Sequence, residues 1–231
     1  MGFDLANIAY QVSVWLFPIL IAVTFHEAAH GWVAWKLGDN TAFLAGRVTF
    51  NPLKHIDPFG TIILPAIMLL GSGGRMMFGF AKPVPVNFQA LNGGRNGMVL
   101  VALAGPGSNL VLAIMAALLL HGLTFFSGNL QQWLALNLFN ALWINLLLCV
   151  FNLLPLLPLD GGRVLAGLLP EHIARRFADT ERYGFLILIG ALFILPYAGE
   201  TLGIDLNIFT WLVLKPAETL LQVVLSLTGN G

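Results

Sequence analysis

Long apolar segments separated by short polar stretches dominate the chain. They predict helices over about residues 6–37, 97–123, 133–154, 183–197 and 206–227. A helix needs about 20 apolar residues to cross the roughly 30 Å hydrocarbon core of a bilayer. The pattern therefore predicts an all-α polytopic membrane protein with five to six transmembrane helices.

The sixth candidate is the shorter apolar segment over residues 59–70, which contains Pro65. About a dozen apolar residues are too few for a straight crossing. We expect this segment to re-enter the membrane or to lie at its surface.

Short extended pieces are predicted at the membrane edge. Apolar and polar residues alternate over 45–50, and the loop of residues 71–96 contains two further candidates, 76–80 and 84–88. Alternation is typical of β strands, and Pro83 and Pro85 restrict the last piece to a sheet edge or an irregular loop. The fold prediction therefore includes short β strands.

Glycine and proline interrupt the helical pattern at two places. Gly105-Pro106-Gly107 predicts a kink or local opening in the second long helix. Pro155 and Pro158 end the third, and Gly161-Gly162 allow the backbone there to approach another group closely. That third helix carries four asparagines on one face, which we expect to lie against protein: Asn137, Asn140, Asn145 and Asn152.

Composition supports the membrane assignment. The 231 residues are 58% hydrophobic and 10% charged, with zero net charge, so no basic surface suggests nucleic acid. The single cysteine, Cys149, can form no internal disulfide. Asp4 stands where a signal peptide carries positive charge, so we expect the first apolar segment to remain in the mature protein. Without repeats or low-complexity linkers, residues 1–231 are interpreted as one domain.

The positive charges predict which side each loop faces. Ten of the eleven Lys and Arg lie in residues 36–57, 71–96 and 158–182, and residues 124–132 and 198–205 have none. Cytoplasmic loops are enriched in these residues. Five crossings plus a re-entrant segment place all three charged stretches in the cytoplasm and the N-terminus outside.

His26-Glu27-Ala28-Ala29-His30 is the strongest chemical signal. Residues four apart lie on one helix face, so His26 and His30 can bind one metal ion, with Glu27 beside it. Zinc accepts such ligands and, in catalytic sites, keeps a fourth position for water. The alternative, a hydrogen-bonded helix cluster, is disfavoured because ionisable groups inside a membrane are costly.

A third protein ligand is needed, and several side chains could supply it. The candidates are His55, Asp57, His121, Asp160, Glu171 and His172. His121 falls at the external end of its helix, and Asp57 precedes Pro58 as turn or cap residues do. His55 and His172 lie in charged loops, where solvated or capping roles are expected. Asp160 stands out, because the broken helix end brings it toward the histidine pair.

These motifs resemble the site-2 protease family of intramembrane zinc metalloproteases. The likeness rests on His26-Glu27-x-x-His30, on Asn152-x-x-Pro155-x-x-Pro158-x-Asp160-Gly161, and on Gly105-Pro106-x-x-Asn109 between them. It covers roughly residues 15–165. This chain resembles a compact form, without the PDZ or CBS domains of larger members.

The resemblance implies one Zn²⁺ per chain, held by His26, His30 and Asp160, with Glu27 as general base and acid. It implies that Asn152 binds substrate or stabilises the oxyanion, and that residues 46–50 and 78–87 contact substrate. The expected catalytic core is about 6–165, with accessory helices at about 183–228. The expected partners are the lipid bilayer and a transmembrane protein or peptide substrate, and the expected location is a prokaryotic plasma membrane, with the site nearer the cytoplasm.

Two other classes remain as alternatives. A metal-ion transporter also places ligands in the membrane, but spread along a path or in repeated halves. A non-catalytic metal-binding scaffold usually has a closed zinc site. One compact site with an adjacent Glu27 favours the protease.

Overall fold

The computed structural model describes residues 5–71 and 79–231, and its regular elements are helical. The α-helices are α1 (Leu5–Lys36), α2 (Thr41–Leu44), α3 (Leu64–Gly71), α4 (Arg95–Leu120), α5 (Gly128–Asn152), α6 (Asp160–Leu168), α7 (Glu171–Ala178), α8 (Glu181–Ile189), α9 (Leu195–Leu202) and α10 (Lys215–Leu227). Segments of π-helix precede α3 (Pro58–Ile63), join α8 to α9 (Gly190–Ile194) and precede α10 (Thr210–Leu214). Short 3₁₀ turns cover Pro52–Lys54, Phe88–Ala90 and His121–Phe125.

Five helical segments of the described chain are long and apolar enough to cross a membrane. They are Ala9–Lys36, Arg95–Phe125, Gly128–Asn152, Glu181–Leu202 and Thr210–Leu227. Their bounds agree with the five predicted apolar helices to within a few residues. The largest differences, of five residues each, are the start of α5 at Gly128 instead of 133 and the end of the fourth segment at Leu202 instead of 197. The protein is therefore a polytopic, all-α membrane protein.

Helix α4 is the centre of the bundle, and small residues make this possible. It packs against α1, α5 and α6. Its buried face consists mostly of small side chains: Gly97, Val101, Ala102, Gly105, Pro106, Asn109, Ala113, Ala116 and Ala117. Helices in lipid associate by close backbone approach at such residues, because apolar side chains gain little by leaving lipid. Helix α4 stays continuous through Pro106, so the predicted local opening is absent.

The predicted β strands are wrong for the residues that the structure describes. Residues 45–50 form turns and bends, and residues 79–87 follow an irregular course without a ladder. Backbone N–H groups along this second segment bond to other partners: Phe80 to the Gly60 carbonyl, Lys82 to the His55 carbonyl and Val84 to the Glu27 carboxylate. Pro83 and Pro85 offer no N–H at all. The first candidate of that loop, 76–80, lies mostly outside the described residues.

The short apolar segment is a helix of π and α turns from Pro58 to Gly71. At about 1.5 Å per residue, its length is near 21 Å, which is less than the bilayer core. Asp57 begins it, accepting hydrogen bonds from the N–H groups of Phe59 and Gly60. The predicted capping role of Asp57 agrees with these contacts, and membrane re-entry stays a prediction.

The described parts of the three charged segments lie together at one end of the bundle. Asn92 donates its N–H to the Leu37 carbonyl, and the Arg95 guanidinium donates to the carbonyl of Ala166, 2.7 Å away. The loop after α1, the start of α4 and helix α6 therefore meet. We call this the charged end.

Helix α10 runs from the charged end toward the opposite end. Phe209 lies just before the π-helical segment that leads into α10, and its ring is 6.3 Å from that of Phe151 at the end of α5. The carbonyl of Thr228, just after α10, lies 2.7 Å from Nε2 of His121 at the end of α4. Because α4 leaves the charged end and α5 returns to it, α10 is parallel to α4.

Helix α8 also begins near the charged end. Glu181 forms a 2.9 Å ion pair with Arg163 of α6. Because Phe209 lies at the charged end as well, the chain from Glu181 to Phe209 starts and finishes there. This differs from the layout predicted from charge, in which the helix over residues 206–227 starts on the opposite side. Sequence alone missed it because apolar length does not specify direction.

Labelling engineered cysteines will test this orientation. In a Cys149→Ala background, Lys54→Cys should be labelled from one side of the membrane, and Gly231→Cys and Ser127→Cys from the other, with an impermeant maleimide in oriented vesicles. A simple alternation of five crossings predicts Gly231→Cys on the same side as Lys54→Cys. That result would contradict the parallel arrangement of α4 and α10.

Candidate metal centre

Helix α1 presents His26 and His30 to α4. The two side chains are buried, and Gly105 of α4 faces both imidazoles. A Cβ at this position would lie 2.4 Å from Nε2 of His30 and 2.6 Å from Nε2 of His26. Only glycine lets the α4 backbone approach so closely, so the Gly105 position is specified by the histidine pair.

Hydrogen bonds at Nδ1 fix the orientation of both rings. Nδ1 of His26 lies 2.6 Å from Oδ1 of Asn109, and Nδ1 of His30 lies 2.7 Å from the Val101 carbonyl. Both partners are acceptors, so each Nδ1 carries a proton, which leaves Nε2 as the nitrogen that can offer a lone pair to a metal. An acceptor behind the outer nitrogen is the usual support of a metal-binding histidine.

Asn109 is itself held in place by α1 and α5. Its amide nitrogen donates to the Ala22 carbonyl at 3.2 Å and to Oδ1 of Asn145 at 2.8 Å, which orients its own oxygen toward His26. Asn145 in turn donates to the Ala141 carbonyl. Both asparagines are at most 1% exposed. Hydrogen bonding within and between helices therefore accounts for the burial of both amides.

Asp160 reaches the histidines from the first turn of α6. Gly161 brings that turn against the end of α5, since a Cβ there would lie 2.2 Å from the Leu153 carbonyl oxygen. Oδ2 of Asp160 is then 3.2 Å from Nε2 of His26 and 3.3 Å from Nε2 of His30. This buried oxygen has no hydrogen-bond partner of suitable geometry.

The three ligand atoms form a nearly equilateral triangle that fits a metal ion. The two Nε2 atoms are 3.1 Å apart, close to the distances from Asp160. Tetrahedral zinc with bonds of 2.0–2.2 Å separates its ligands by about 3.3–3.5 Å. Three lone pairs facing one point repel each other unless a cation or a proton lies between them. Among the described residues, these three form the group that can hold a metal.

Glu27 directly follows His26 on α1, and it is partly buried. Its Oε2 accepts a hydrogen bond of 2.8 Å from the N–H of Val84 in the segment between α3 and α4. The carboxylate is thus held beside the ligand triangle by a backbone group of a loop.

Asn152 is the predicted site residue that the structure does not connect to the others. Its amide donates to the Leu148 carbonyl of its own helix at 3.0 Å. It lies at the last turn of α5, before the loop that leads to Asp160. The role of Asn152 stays a prediction.

The other ligand candidates lie elsewhere. His121 contacts Thr228 at the far end, and Glu171 pairs with Arg175 on α7. His172 is exposed in the same helix. His55 is not solvated as expected but only 3% exposed, with Nε2 2.9 Å from the Thr49 carbonyl.

Sequence reasoning missed three groups that shape the site: Gly105 as a contact of the imidazoles, the Val101 carbonyl and the Val84 N–H. Gly105 carried a signal in its Gly-Pro pair, but this was interpreted as a kink. Backbone donors and acceptors carry no signal in the sequence.

Replacing Asn109 should weaken zinc binding. Asn109→Ala removes the acceptor of His26 Nδ1, and loss of such a partner typically costs about 10- to 100-fold in metal affinity. Zinc affinity measured by competition with a chelator should fall in Asn109→Ala. The matched control is Asn137→Ala, whose amide bonds only to its own helix. Equal affinity of the two variants would show that Asn109 does not support the ligand.

Fold and centre together define a polytopic membrane protein with a buried site of two histidines and one aspartate. The comparisons with known proteins identify its family. The model of peptidase family M50 matches residues 124–197. The chain is 40% identical over 217 residues to "Putative zinc metalloprotease YwhC" of Bacillus subtilis, covering 90% of this chain and 92% of that protein.

Two further relatives are more distant. "Putative zinc metalloprotease Rip2" of Mycolicibacterium smegmatis is 32% identical over 74% of this chain and 62% of its own length. "Zinc metalloprotease MJ0392" of Methanocaldococcus jannaschii is 26% identical over 80% of this chain and 40% of its own length. No solved structure matches the chain.

The chain therefore belongs to peptidase family M50, the site-2 protease family. It is a membrane metalloprotease, and zinc is its metal.

Proposed function

We propose that this protein hydrolyses a peptide bond within or near a transmembrane segment of a membrane-protein substrate, with Glu27 as general base and acid. One observation carries the proposal. Three lone pairs from His26, His30 and Asp160 converge within 3.3 Å. The Glu27 carboxylate is held on the adjacent position of the same helix.

Zinc, when bound, supplies a water acidified to a pKa of about 7 and polarises the substrate carbonyl. The Glu27 carboxylate takes up the proton of the attacking water and delivers it to the amine that leaves. His26, His30 and Asp160 hold the metal. Asn109 and the Val101 carbonyl hold a proton of each ring at Nδ1, so that Nε2 is the nitrogen that binds zinc. Asn152 lies just before the loop that leads to Asp160. In the reaction its amide gives up the hydrogen bond to the Leu148 carbonyl and donates to the substrate oxygen that becomes negative in the transition state.

The substrate has to be extended at the bond that is cut, because a helix buries its carbonyls in its own hydrogen bonds. The segment over residues 79–87 is a suitable partner for an extended peptide. Its Phe80, Lys82 and Val84 N–H groups all bond toward the protein. In an extended chain the backbone groups of alternate residues point to opposite sides. The carbonyls of Ala81, Pro83 and Pro85 therefore point away from the protein and are available to substrate N–H groups.

The centre lies toward the charged end of the bundle, to which α6 and the start of α4 belong. Positive residues face the cytoplasm in membrane proteins, so we assign the site to the cytoplasmic side. The relatives named above come from bacteria and an archaeon, which supports a prokaryotic plasma membrane.

Zinc removal and return will test the proposal. The purified protein is co-reconstituted with a single-span test substrate whose apolar segment has a central Gly-Gly pair, because glycine eases local unwinding. Cleavage should stop after chelation and return on adding about one zinc per chain. Lasting cleavage without metal would contradict the proposal.

The same vesicles separate the two alternatives. Zinc uptake without cleavage would favour a transporter, and tight zinc binding with neither uptake nor cleavage across a panel of test substrates would favour a scaffold. Either result would reject hydrolysis as the function.

A further inference from the structure

Three buried polar side chains outside the metal centre surround the segment of residues 80–87. Asp39 is 1% exposed, Arg47 is 7% and His55 is 3%. Burying charged groups is costly unless their contacts compensate. None of the three belongs to the ligand triangle, so their contacts need another explanation.

Asp39 fixes the C-terminal end of this segment. Its Oδ2 accepts the N–H of Asn87 at 2.7 Å, and its Oδ1 accepts the N–H and hydroxyl of Thr41 at 2.9 and 2.5 Å. Burial opposes ionisation, but the bonds from Thr41 and Asn87 outweigh it and hold the pKa of Asp39 below its usual value. The carboxylate therefore ties the segment to the turn that follows α1.

Arg47 fixes the other end. Its guanidinium donates to the Lys82 carbonyl at 2.6 Å, and the Lys82 N–H donates to the His55 carbonyl at 2.9 Å. Within the described residues, no carboxylate lies within ion-pair distance of Arg47, and its Nε has no partner. The buried guanidinium therefore forms its hydrogen bond with a backbone carbonyl of the segment.

The Val84 N–H lies between these two fixed points. Since Pro83 and Pro85 have no N–H, Val84 is the one residue of the triplet that can donate, and it donates to Glu27. The Val84 side chain also lies against α1, because a Cβ on Gly31 would be 3.2 Å from its Cγ1. The segment is therefore fixed at Lys82 and at Asn87, and between them the Val84 N–H donates to the Glu27 carboxylate.

We propose that Asp39 and Arg47 are positioning residues for Glu27: they fix both ends of the 82–87 segment, so that the Val84 N–H holds the Glu27 carboxylate in the orientation used in hydrolysis. This rests on the proposed function, in which Glu27 is the general base.

The sharpest test removes the hydrogen bond itself. Val84→Pro and Val84→Ala both lose the valine side chain, but only proline loses the N–H. With the single-span test substrate, Val84→Pro should lower kcat about 10- to 100-fold relative to Val84→Ala, with KM unchanged, as expected for a bond to a charged group. Zinc content should stay at the wild-type level in both.

The ends of the segment are tested separately. Arg47→Ala and Asp39→Asn should lower kcat by about 10-fold at unchanged KM and zinc content, since small displacements of a catalytic group are costly. Arg47→Lys, which keeps a cationic donor, should recover part of the loss. Matched controls are Lys54→Ala and Asp179→Asn, which remove exposed charges and should leave kcat unchanged.

Hydrogen–deuterium exchange gives a readout that needs no substrate. The peptide covering residues 80–88 should exchange faster in Arg47→Ala, Asp39→Asn and Glu27→Ala than in wild type or Lys54→Ala, because Val84 and Asn87 lose protection.

The outcomes separate the two proposals. If Glu27→Gln still cleaves, the proposed function fails whatever the positioning variants do. If Glu27→Gln is inactive but Val84→Pro has the same kcat as Val84→Ala, the positioning role is overturned. It is also overturned if Arg47→Ala and Asp39→Asn keep the wild-type kcat and the wild-type exchange rate. A rise in KM at constant kcat would overturn it too, in favour of substrate binding.

Discussion

Asp160→Ala should lose its zinc. In the wild type, Oδ2 of Asp160 closes the ligand triangle at 3.2 and 3.3 Å from the two histidine nitrogens. Removing it leaves two ligands. Zinc affinity should therefore fall by more than the roughly 100-fold that loss of an outer partner such as Asn109 can cost. We expect about one zinc per chain in detergent-purified wild type and far less in Asp160→Ala, measured by elemental mass spectrometry.

Matched variants make this result specific. His26→Ala should behave as Asp160→Ala does. Glu171→Ala and His172→Ala remove the same side-chain types from α7, where they lie apart from the triangle, and should keep full zinc. Equal zinc in Asp160→Ala and Glu171→Ala would show that the third ligand lies elsewhere. Metal-free wild type, after careful preparation and zinc resupply, would exclude the centre.

Glu27→Gln should keep its zinc and lose hydrolysis. Glutamine has nearly the same size and can still accept the Val84 N–H, but it cannot take up a proton. General acid–base catalysis contributes about 10²- to 10⁴-fold, so kcat on the single-span test substrate should fall by that amount. The measurement pairs cleavage rate with zinc content in the same preparation.

The control for Glu27→Gln is Glu200→Gln, which makes the same change at an exposed position near the end of α9. It should cleave at the wild-type rate. Cleavage by Glu27→Gln at that rate would remove Glu27 from the mechanism. Loss of both cleavage and zinc would instead indicate that Glu27 supports the metal, as a ligand or through the fold.

The local elements were predictable because their signals are local. The five apolar helices and the Asp57 cap each depend on a few neighbouring residues. The metal pair was also local, since His26 and His30 share one helix face. The β strands over 45–50 and 84–88 were predicted from the same kind of pattern and were wrong. The N–H groups of Gly46 and Arg47 bond to carbonyls of the preceding α2, and those of Val84 and Asn87 bond to distant carboxylates.

The family could be inferred from motifs, but the supports of the site could not. Asn109 is 83 residues from His26, and Val84 is 57 residues from Glu27. Nothing in the spacing assigns these partners. Two of the supports are backbone groups: the Val101 carbonyl, which any residue could provide, and the Val84 N–H, which any residue except proline could provide.

By itself, the sequence determined that this is a membrane protein built on apolar helices, with a histidine pair for a metal, a glutamate beside it and Asp160 as the favoured third ligand. Helix formation and membrane insertion follow from the period and length of apolar runs, which are properties of contiguous residues. Only the tertiary structure decided that Asn109 and Val101 orient the imidazoles, that Val84 holds Glu27 and that α10 runs parallel to α4. Those features depend on how helices distant in sequence pack, and packing is set by many weak contacts that no short pattern contains.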